Sequence, residues 1–253
     1  MWEEKINSEL QAFHTINLDE LNKLRLMNRV DRKFVFPLNK LPELLGRVSK
    51  HYKVLEIKDE RCLLYQTEYL DSPELILYHN HQNQRLNRFK VRFRTYTISN
   101  NTFFEIKRKT NKGKTIKKRV EIPKEKKPEI DYAFLDSVVP LDDKNLLPSL
   151  SNQFKRITLA SFISNERITL DFDLEIKDQN ARKTLPFLAI AELKREKASN
   201  NSPFALALKA INIYPRGFSK YCMGKALLNP QLKQNTFKPN LLYLKKIKNE
   251  FSD

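Results

Sequence analysis

The stretch Phe89-Lys90-Val91-Arg92-Phe93-Arg94-Thr95-Tyr96 decides the fold, because cationic residues alternate with apolar ones along most of its length. Successive side chains of a β-strand point to opposite faces. The three cations therefore share one face of the predicted strand, and the apolar residues lie on the other. A row of positive charges on one face of a folded strand indicates a binding site for a polyanion.

The positive charge of the chain is concentrated around this strand. Sixteen Lys or Arg residues and three Glu residues lie between Arg85 and Lys127, so these 43 residues carry +13 of the formal net charge of +17. The overall composition, with 40% hydrophobic and 30% charged residues, is typical of a folded globular protein. A basic excess of this size indicates an acidic partner, which could be nucleic acid, an anionic membrane or a phosphorylated ligand.

Residue usage excludes several other classes of protein. Two cysteines, Cys62 and Cys222, are too few for a disulfide framework or a four-cysteine zinc site and favour a reducing compartment. The four glycines are isolated, which excludes a Walker A loop and a dinucleotide-binding fingerprint. No apolar run approaches the roughly 20 residues of a membrane span, and we expect a cytoplasmic protein. We expect one domain over residues 1–253, with its core at about 25–228 and a peripheral or partly flexible tail at 229–253.

The middle of the chain is predicted to be rich in β-strands. Asn100-Asn101 and Asn111-Lys112-Gly113 are typical of hairpin turns. Asn17, Asn39 and Ser202 are predicted to cap helices, and residues 128–150 form a helical or loop crossover. The predicted strands are at about 29–36, 52–57, 62–70, 88–97, 102–110, 115–122, 154–162, 166–175 and 186–194.

Several of these strands have one apolar and one charged face. An antiparallel sheet with one solvated face would explain any single strand of this kind. At about 4 Å and an effective dielectric constant near 20, however, each like-charge contact costs on the order of 4 kcal/mol. Solvent or a bound anion must relieve that repulsion, and closing the sheet with its charged faces inward would form a cationic tunnel. The shared charged faces are Glu105, Lys107 and Lys109; Lys117, Arg119 and Glu121; and Arg167, Thr169, Asp171, Asp173 and Glu175.

Glu192 is an acidic residue on a late strand, with Lys194 two residues further on. Two interpretations remain open from the residues alone. The carboxylate is either a structural ion-pair partner or a ligand for a divalent metal that phosphate oxygens share. His79 and His81 have the spacing of strand ligands, but we interpret them as polar loop residues because asparagines surround them. No serine or cysteine triad is recognisable.

Four motifs, taken in order, resemble those of a known family. They are Arg32-Lys33-Phe34-Val35-Phe36-Pro37, Tyr69-Leu70-Asp71-Ser72-Pro73, the basic strand at 86–96, and Gly217-Phe218-Ser219-Lys220-Tyr221. Together they resemble the VTC domain, the catalytic domain of the vacuolar transporter chaperone complex and of its bacterial relatives. That domain belongs to the triphosphate tunnel metalloenzymes, a CYTH-like superfamily. The resemblance runs from about Arg29 to Lys225 and implies an α+β fold, with a closed antiparallel β-barrel of about eight strands around a basic tunnel and flanking helices.

The resemblance also implies a function. It predicts a polyphosphate polymerase that transfers the γ-phosphoryl group of ATP to a growing polyphosphate chain, with Mn²⁺ or Mg²⁺ as cofactor. Glu192 would be the metal ligand. The catalytic residues implied are Lys33, Arg92, Arg94, Lys107, Arg156, Arg167 and Lys220. The further phosphate-binding residues implied are Arg29, Lys109, Lys117, Arg119, Lys194 and Ser219.

One departure from the superfamily bears on the reaction. Hydrolytic tunnel enzymes carry Glu-x-Glu-x-Lys on the first strand, whereas this chain has Arg29-Val30-Asp31-Arg32-Lys33. Replacement of the first acid by a cation favours a polymerase over a triphosphatase. Lys109 lies where eukaryotic members have a histidine.

Two other functions stay open, a tunnel triphosphatase and a non-catalytic polyphosphate-binding sensor. We do not expect a specific nucleic-acid partner, because the aromatic residues alternate onto the face opposite the cations and cannot stack on bases there. Translocation of a product would need a separate membrane protein as partner.

Overall fold

A large antiparallel sheet dominates the computed structural model, which describes residues 2–24, 29–139, 145–196 and 202–252. Eleven strands and eight α-helices lie within these ranges. The strands are β1 (Thr15–Ile16), β2 (Arg29–Pro37), β3 (Lys53–Leu55), β4 (Leu63–Asp71), β5 (Arg88–Tyr96), β6 (Asn101–Lys109), β7 (Thr115–Ile122), β8 (Leu147–Ser161), β9 (Glu166–Lys177), β10 (Arg182–Leu185) and β11 (Leu188–Glu196). The helices are α1 (Trp2–Leu10), α2 (Leu18–Lys23), α3 (Leu41–Val48), α4 (Ile76–Gln82), α5 (Tyr132–Asp136), α6 (Pro203–Ala210), α7 (Lys220–Leu228) and α8 (Lys238–Ser252).

Eight strands follow one another across the sheet in the order β2-β11-β9-β8-β4-β5-β6-β7. The α+β class and the antiparallel pairing agree with the sequence prediction, whereas the expected closure of the barrel is not confirmed. Within the described ranges, β2 and β7 form no ladder with each other. The outer edge of β2 is instead occupied by the segment before α7, where Phe34 bridges to Pro215 and the amide of Arg216 donates to the carbonyl of Lys33 at 2.7 Å.

The two faces of the sheet have different surroundings. One face buries an apolar cluster against α1, α3 and α6, in which Phe36, Ile157 and Leu193 of the sheet meet Leu41 and Leu44 of α3. The other face carries most of the charged residues that the alternation predicted. The charged residues share this face with a second apolar cluster, to which Val35 and Ile190 of the sheet belong.

Helix α2 begins as the sequence predicts. Asn17 accepts a hydrogen bond from the amide of Glu20, and the side chain of Glu20 accepts one from the amide of Asn17, which completes a capping box. Ser202 likewise caps α6. The cap predicted at Asn39 is wrong, because a 3-10 turn at Leu38–Lys40 leads into α3 without a side-chain cap.

Helix α4 was not predicted, and it places His79 and His81 on a helix rather than in a loop. Its first turn is capped from a distance, since the carboxylate of Asp71 accepts hydrogen bonds from the amides of Leu77 and Tyr78, both at 2.8 Å. A cap several residues upstream of a helix gives no local signal in the sequence.

The tail after residue 229, expected to be peripheral or partly flexible, contains helix α8. Leu244 and Ile247 of this helix are buried in a cluster with Val35 and Ile190 of the sheet. The structure thus attaches this part of the tail to the core. No helix in the described ranges is long and apolar enough to cross a membrane.

A bulge in β9 changes which of its acidic residues share a face. Asp173 has a φ angle of +53°, and the pairing of β8 with β9 shifts beside it. An extra residue in one strand reverses the alternation beyond it. The prediction that Asp173 and Glu175 share the face of Asp171 is therefore wrong, and Leu174 and Ile176 occupy that face in an apolar cluster instead.

Candidate functional site: a cationic cavity on the charged sheet face

A cavity of about 1530 Å³ opens between β2, β5, β6, β11 and the segment that leads into α7. The pairing registers explain why charged residues converge there. Lys90 lies opposite Lys107 across β5 and β6, and Lys33 lies opposite Glu192 across β2 and β11. The predicted site residues that line this cavity are Lys33, Lys107, Lys109, Glu192 and Ser219.

Glu105 is a fully buried carboxylate that holds two of the predicted cations on this face. One of its oxygens accepts from Arg92 Nε at 2.9 Å and from Arg92 Nη2 at 2.7 Å, and the other pairs with Lys117. Burial opposes the charged form of Glu105, but Arg92, Arg94 and Lys117 outweigh it and lower the pKa to about 2. Glu105 is therefore ionised at neutral pH and fixes the guanidinium plane of Arg92.

Asp171 holds a second pair of cations in the same way. Arg156 donates Nε to one carboxylate oxygen at 2.6 Å and Nη2 to the other at 2.8 Å, while the ammonium of Lys220 also pairs with Asp171. Arg156 and Lys220 together lower the pKa of Asp171 against the effect of its burial. Burial of Lys220 disfavours its cation and lowers the pKa of the amine to about 8.

Arg94 lies between these two clusters but forms no ion pair with a carboxylate within the described residues. Its guanidinium donates to the Thr67 hydroxyl, from Nε at 3.3 Å and from Nη2 at 3.2 Å, and stands over the rings of Tyr65 and Phe154. Only 8% of Arg94 is exposed. Burial, with repulsion from Arg92 and Arg156, lowers the pKa of Arg94 to about 10, so an anion bound there would be strongly stabilised.

Three lysines on the walls of the cavity likewise form no ion pair within the described residues. Lys33 donates to the carbonyl of Phe218 at 2.9 Å, and Lys90 donates to the hydroxyl of Ser219 at 2.9 Å. The ammonium of Lys107 forms no hydrogen bond or ion pair within the described part of the chain, and burial together with Arg92 lowers the pKa of Lys107 well below the ordinary value. These ammonium groups have donors available for phosphate oxygens.

Glu192 lies in a predominantly cationic setting at the other side of the cavity. Its carboxylate pairs with Lys194 at 3.0 Å, and Lys194 also lies 3.7 Å from Asp31. Burial opposes ionisation of Glu192, but Lys194, Lys33 and Lys107 outweigh it and lower its pKa. The carboxylate is thus charged at neutral pH.

Some predicted residues lie apart from the clusters around Glu105 and Asp171. Arg167 donates Nη2 to the carbonyl of Leu21 at 2.6 Å, at the C-terminal end of α2, which directs it toward that helix. Lys109 is exposed on the cavity wall, and Arg119 is exposed and stands over the ring of Phe103 at 4.3 Å. Arg29 begins β2, but its side chain lies outside the described residues.

Three contributors were missed by the sequence argument. Glu105 and Asp171 were recognised only as members of a charged face, and their pairing with cations on neighbouring strands depends on the register. The third is Tyr69, which lies opposite Arg92 and accepts from Arg92 Nη1 at 3.4 Å. Burial raises its pKa, but Arg92 and Arg94 outweigh that effect and lower it to about 8. The period-two pattern of Tyr65, Thr67 and Tyr69 on β4 was the available signal.

The fold and its site define a protein with a large cationic cavity on one face of an antiparallel sheet. The model of the VTC domain family matches residues 28–229, and the chain belongs to that family. A comparison with curated protein sequences gave no match.

Solved structures similar to this chain include a candidate adenylate cyclase from Bacillus halodurans, with 13% identity, a TM-score of 0.49, and coverage of 76% of this chain and 96% of that one. A candidate adenylyl cyclase from Hippeastrum, described as having a dominant triphosphatase activity, has 15% identity and a TM-score of 0.46, with 83% and 100% of the two chains covered. A candidate adenylate cyclase from Vibrio parahaemolyticus has 12% identity and a TM-score of 0.46, with 79% and 99% covered.

Proposed function

We propose that this protein is a metal-dependent polyphosphate polymerase, which transfers the γ-phosphoryl group of ATP to the end of a growing polyphosphate chain. The observation that carries the proposal is the set of buried or half-buried cations that hydrogen bond only to neutral groups, foremost Arg94. Placing a charged guanidinium in a buried site without a carboxylate partner is costly. A bound anion would supply the negative charge that the guanidinium lacks, so this site is suited to binding an anion.

A linear polyanion fits the distribution of these groups better than a single phosphate does. These cations extend over three strands, with Lys33 on β2, Lys90 and Arg94 on β5, and Lys107 on β6. Guanidinium groups such as Arg92 and Arg94 bind phosphate oxygens in pairs, whereas Lys33, Lys90 and Lys107 act as point charges. The substrates we propose are ATP and inorganic polyphosphate.

The residues near Glu192 fit a divalent ion that is shared with phosphate. Within the described residues there is no group of three or more His, Cys, Asp or Glu side chains that could hold a metal by itself. Mg²⁺ and Mn²⁺ accept one or two carboxylates together with water and phosphate oxygens, and Glu192 with Asp31 provides two. When bound, the ion would neutralise charge on the phosphate oxygens.

The chemical step requires alignment of the reacting phosphates and neutralisation of their charge. A terminal oxygen of the polyphosphate chain would form a bond to the γ-phosphorus of ATP while the bond to the β,γ-bridging oxygen breaks, and ADP leaves. The attacking oxygen is already ionised, so no general base is needed. Arg92 and Arg156 are held in place by Glu105 and Asp171, and Arg94 would neutralise charge on the transferred group.

A tunnel triphosphatase is the second candidate, because Asp31 and Glu192 both lie near Lys194 and could together support a hydrolytic metal centre. Incubation of the purified protein with ATP and Mn²⁺, followed by gel electrophoresis of the products, separates the functions. A ladder of long chains supports the polymerase, and release of orthophosphate alone supports the triphosphatase. Unchanged ATP with retained affinity for polyphosphate would identify a sensor.

The variant Glu192→Ala tests the metal assignment within the same assay. We expect it to lose turnover while it retains binding of the polyphosphate chain. Glu196→Ala, on the same strand but outside the cavity lining, is the matched control and should keep its activity. Full activity in Glu192→Ala would refute the assignment.

A further inference from the structure

The ammonium of Lys194 occupies the space between two carboxylates of the cavity wall. It lies 3.0 Å from Glu192 Oε1 and 3.7 Å from Asp31 Oδ2. The three side chains are partly buried, with exposed fractions of 18% for Lys194, 21% for Glu192 and 32% for Asp31. A cation belonging to the chain itself thus already bridges the two acids.

The register of β2 and β11 produces this arrangement. Lys194 lies directly opposite Asp31, and Glu192 lies two residues along the same strand on the same face. Both carboxylates are therefore directed toward a common point. The backbone pairing fixes the two strands, whereas the four-carbon stem of a lysine can move its ammonium to another position without moving the strand.

A divalent ion at the same carboxylates would need the position that the ammonium now holds. Mg²⁺ binds carboxylate oxygens at about 2.0–2.1 Å, and a lysine ammonium has no lone pair with which to coordinate it. The ion and the ammonium therefore cannot both lie between the two carboxylates. Each also neutralises the same negative charge. Occupation by one cation therefore weakens the affinity for the other.

We propose that Lys194 is a built-in competitor of the divalent ion, which holds Asp31 and Glu192 together when the ion is absent and keeps the affinity of the site for free metal low. The proposal rests on the proposed function only in placing the metal at Glu192. Arrival of the metal moves the ammonium off the acids and toward the cavity, where Lys194 becomes available to phosphate. Lys194 thereby links metal occupancy to substrate binding.

The inference is tested by titrating the purified full chain with Mn²⁺ in the absence of nucleotide and measuring the bound Mn²⁺ by electron paramagnetic resonance. Removal of a charge about 3 Å from the carboxylate should strengthen Mn²⁺ binding roughly tenfold or more, so we expect that gain in Lys194→Met. Lys114→Met removes an equal charge from a lysine that lines the cavity and should change the affinity by less than about threefold. Lys194→Gln, which keeps a polar side chain without charge, should show the same gain as Lys194→Met and provides a second variant if one is poorly folded.

Glu192→Gln, measured beside them, distinguishes the two levels of the argument. If Glu192→Gln loses Mn²⁺ binding but neither Lys194 variant binds more tightly than Lys114→Met, the competition is refuted and the metal site stands. If Glu192→Gln binds Mn²⁺ as the wild type does, the metal lies elsewhere and the competition is refuted with it. Neither result decides whether the gel assay yields a ladder, so the proposed polymerase activity is tested separately.

Discussion

Neutralising Glu105 should destabilise the protein, because this buried carboxylate compensates several cations at once. In Glu105→Gln the shape of the side chain is nearly kept and the negative charge is lost. Arg92 then has no carboxylate partner, and it still repels Arg94 and Lys117. The perturbation therefore tests whether Glu105 is what allows cations to be buried on this face.

The size of the effect follows from the lowered pKa of the Glu105 carboxyl group. A pKa of about 2 in the folded chain, against an ordinary value of 4.5, corresponds to about 3 kcal/mol of stability at neutral pH. Breaking a buried ion pair from one side costs roughly 3–5 kcal/mol, which agrees. For a chain of this length each kcal/mol lowers the melting temperature by roughly 2–4 °C, so we expect a decrease of about 6–12 °C at pH 7.

Thermal unfolding between pH 2 and pH 7 provides the assay. The folded pKa of Glu105 is depressed, so its contribution to stability is present above about pH 4.5 and is lost as the pH falls through about 2. The wild type should therefore lose this stability across that window, and Glu105→Gln should lack that part of the pH dependence. Inorganic triphosphate at pH 7 should reduce the deficit of the variant, because a bound anion takes over the neutralisation.

Glu121→Gln is the matched control on the neighbouring strand, since Glu121 is exposed and hydrogen bonds to Asn101. It should change the stability by no more than about 0.5 kcal/mol. A Glu105→Gln protein that melts within a degree or two of wild type at pH 7 would refute the role assigned to this carboxylate.

Three further predictions concern other cations and acids of the site. Affinity for inorganic triphosphate, measured by calorimetry, should fall as the pH rises through about 8, where free Lys220 loses its proton, and Lys220→Arg should flatten that dependence; an unchanged slope in the variant would contradict the assignment. Arg94→Gln should lower triphosphate affinity roughly tenfold or more without lowering the melting temperature, because it removes a buried charge that has no carboxylate partner; a large loss of stability would show that Arg94 is structural. Asp171→Asn should destabilise the protein by several kcal/mol and Asp173→Asn by much less, because the bulge turns Asp173 away from Arg156; equal melting temperatures would contradict that reading of the bulge.

The period of the sequence was sufficient to predict most strands and the faces of the basic ones. Three cations on β5 alternate with apolar residues that are buried in the structure, among them Val91 and Phe93. The alternation is informative because burial on one face forces a strict period of two. The motifs then identified the family, whose model matches residues 28–229.

The features that escaped prediction depend on contacts between distant parts of the chain. Helix α4 is capped by Asp71, the edge of β2 is covered by Pro215 and Arg216, and the alternation of β9 is reversed at Asp173. None of these features changes the local alternation of apolar and charged residues from which the strands were predicted. Closure of the barrel was inferred from the family, and the cover over β2 shows how one edge of the sheet is satisfied without it.

The cations on the charged sheet face fall into two groups, according to whether their hydrogen-bond partners are charged or neutral. Alternation along a strand cannot reveal this difference. Arg92 and Arg156 are paired in their own sites with Glu105 and Asp171, so their charge is largely compensated before any ligand arrives. Arg94 and Lys107 have no such partner within the described residues, and burial lowers the pKa of both. The compensated pairs set the geometry of the phosphate-binding surface, and the uncompensated cations supply the attraction. A phosphate chain should therefore gain most of its binding energy at Arg94 and Lys107, and substitutions at Glu105 or Asp171 should act on affinity mainly through the orientation of their arginines.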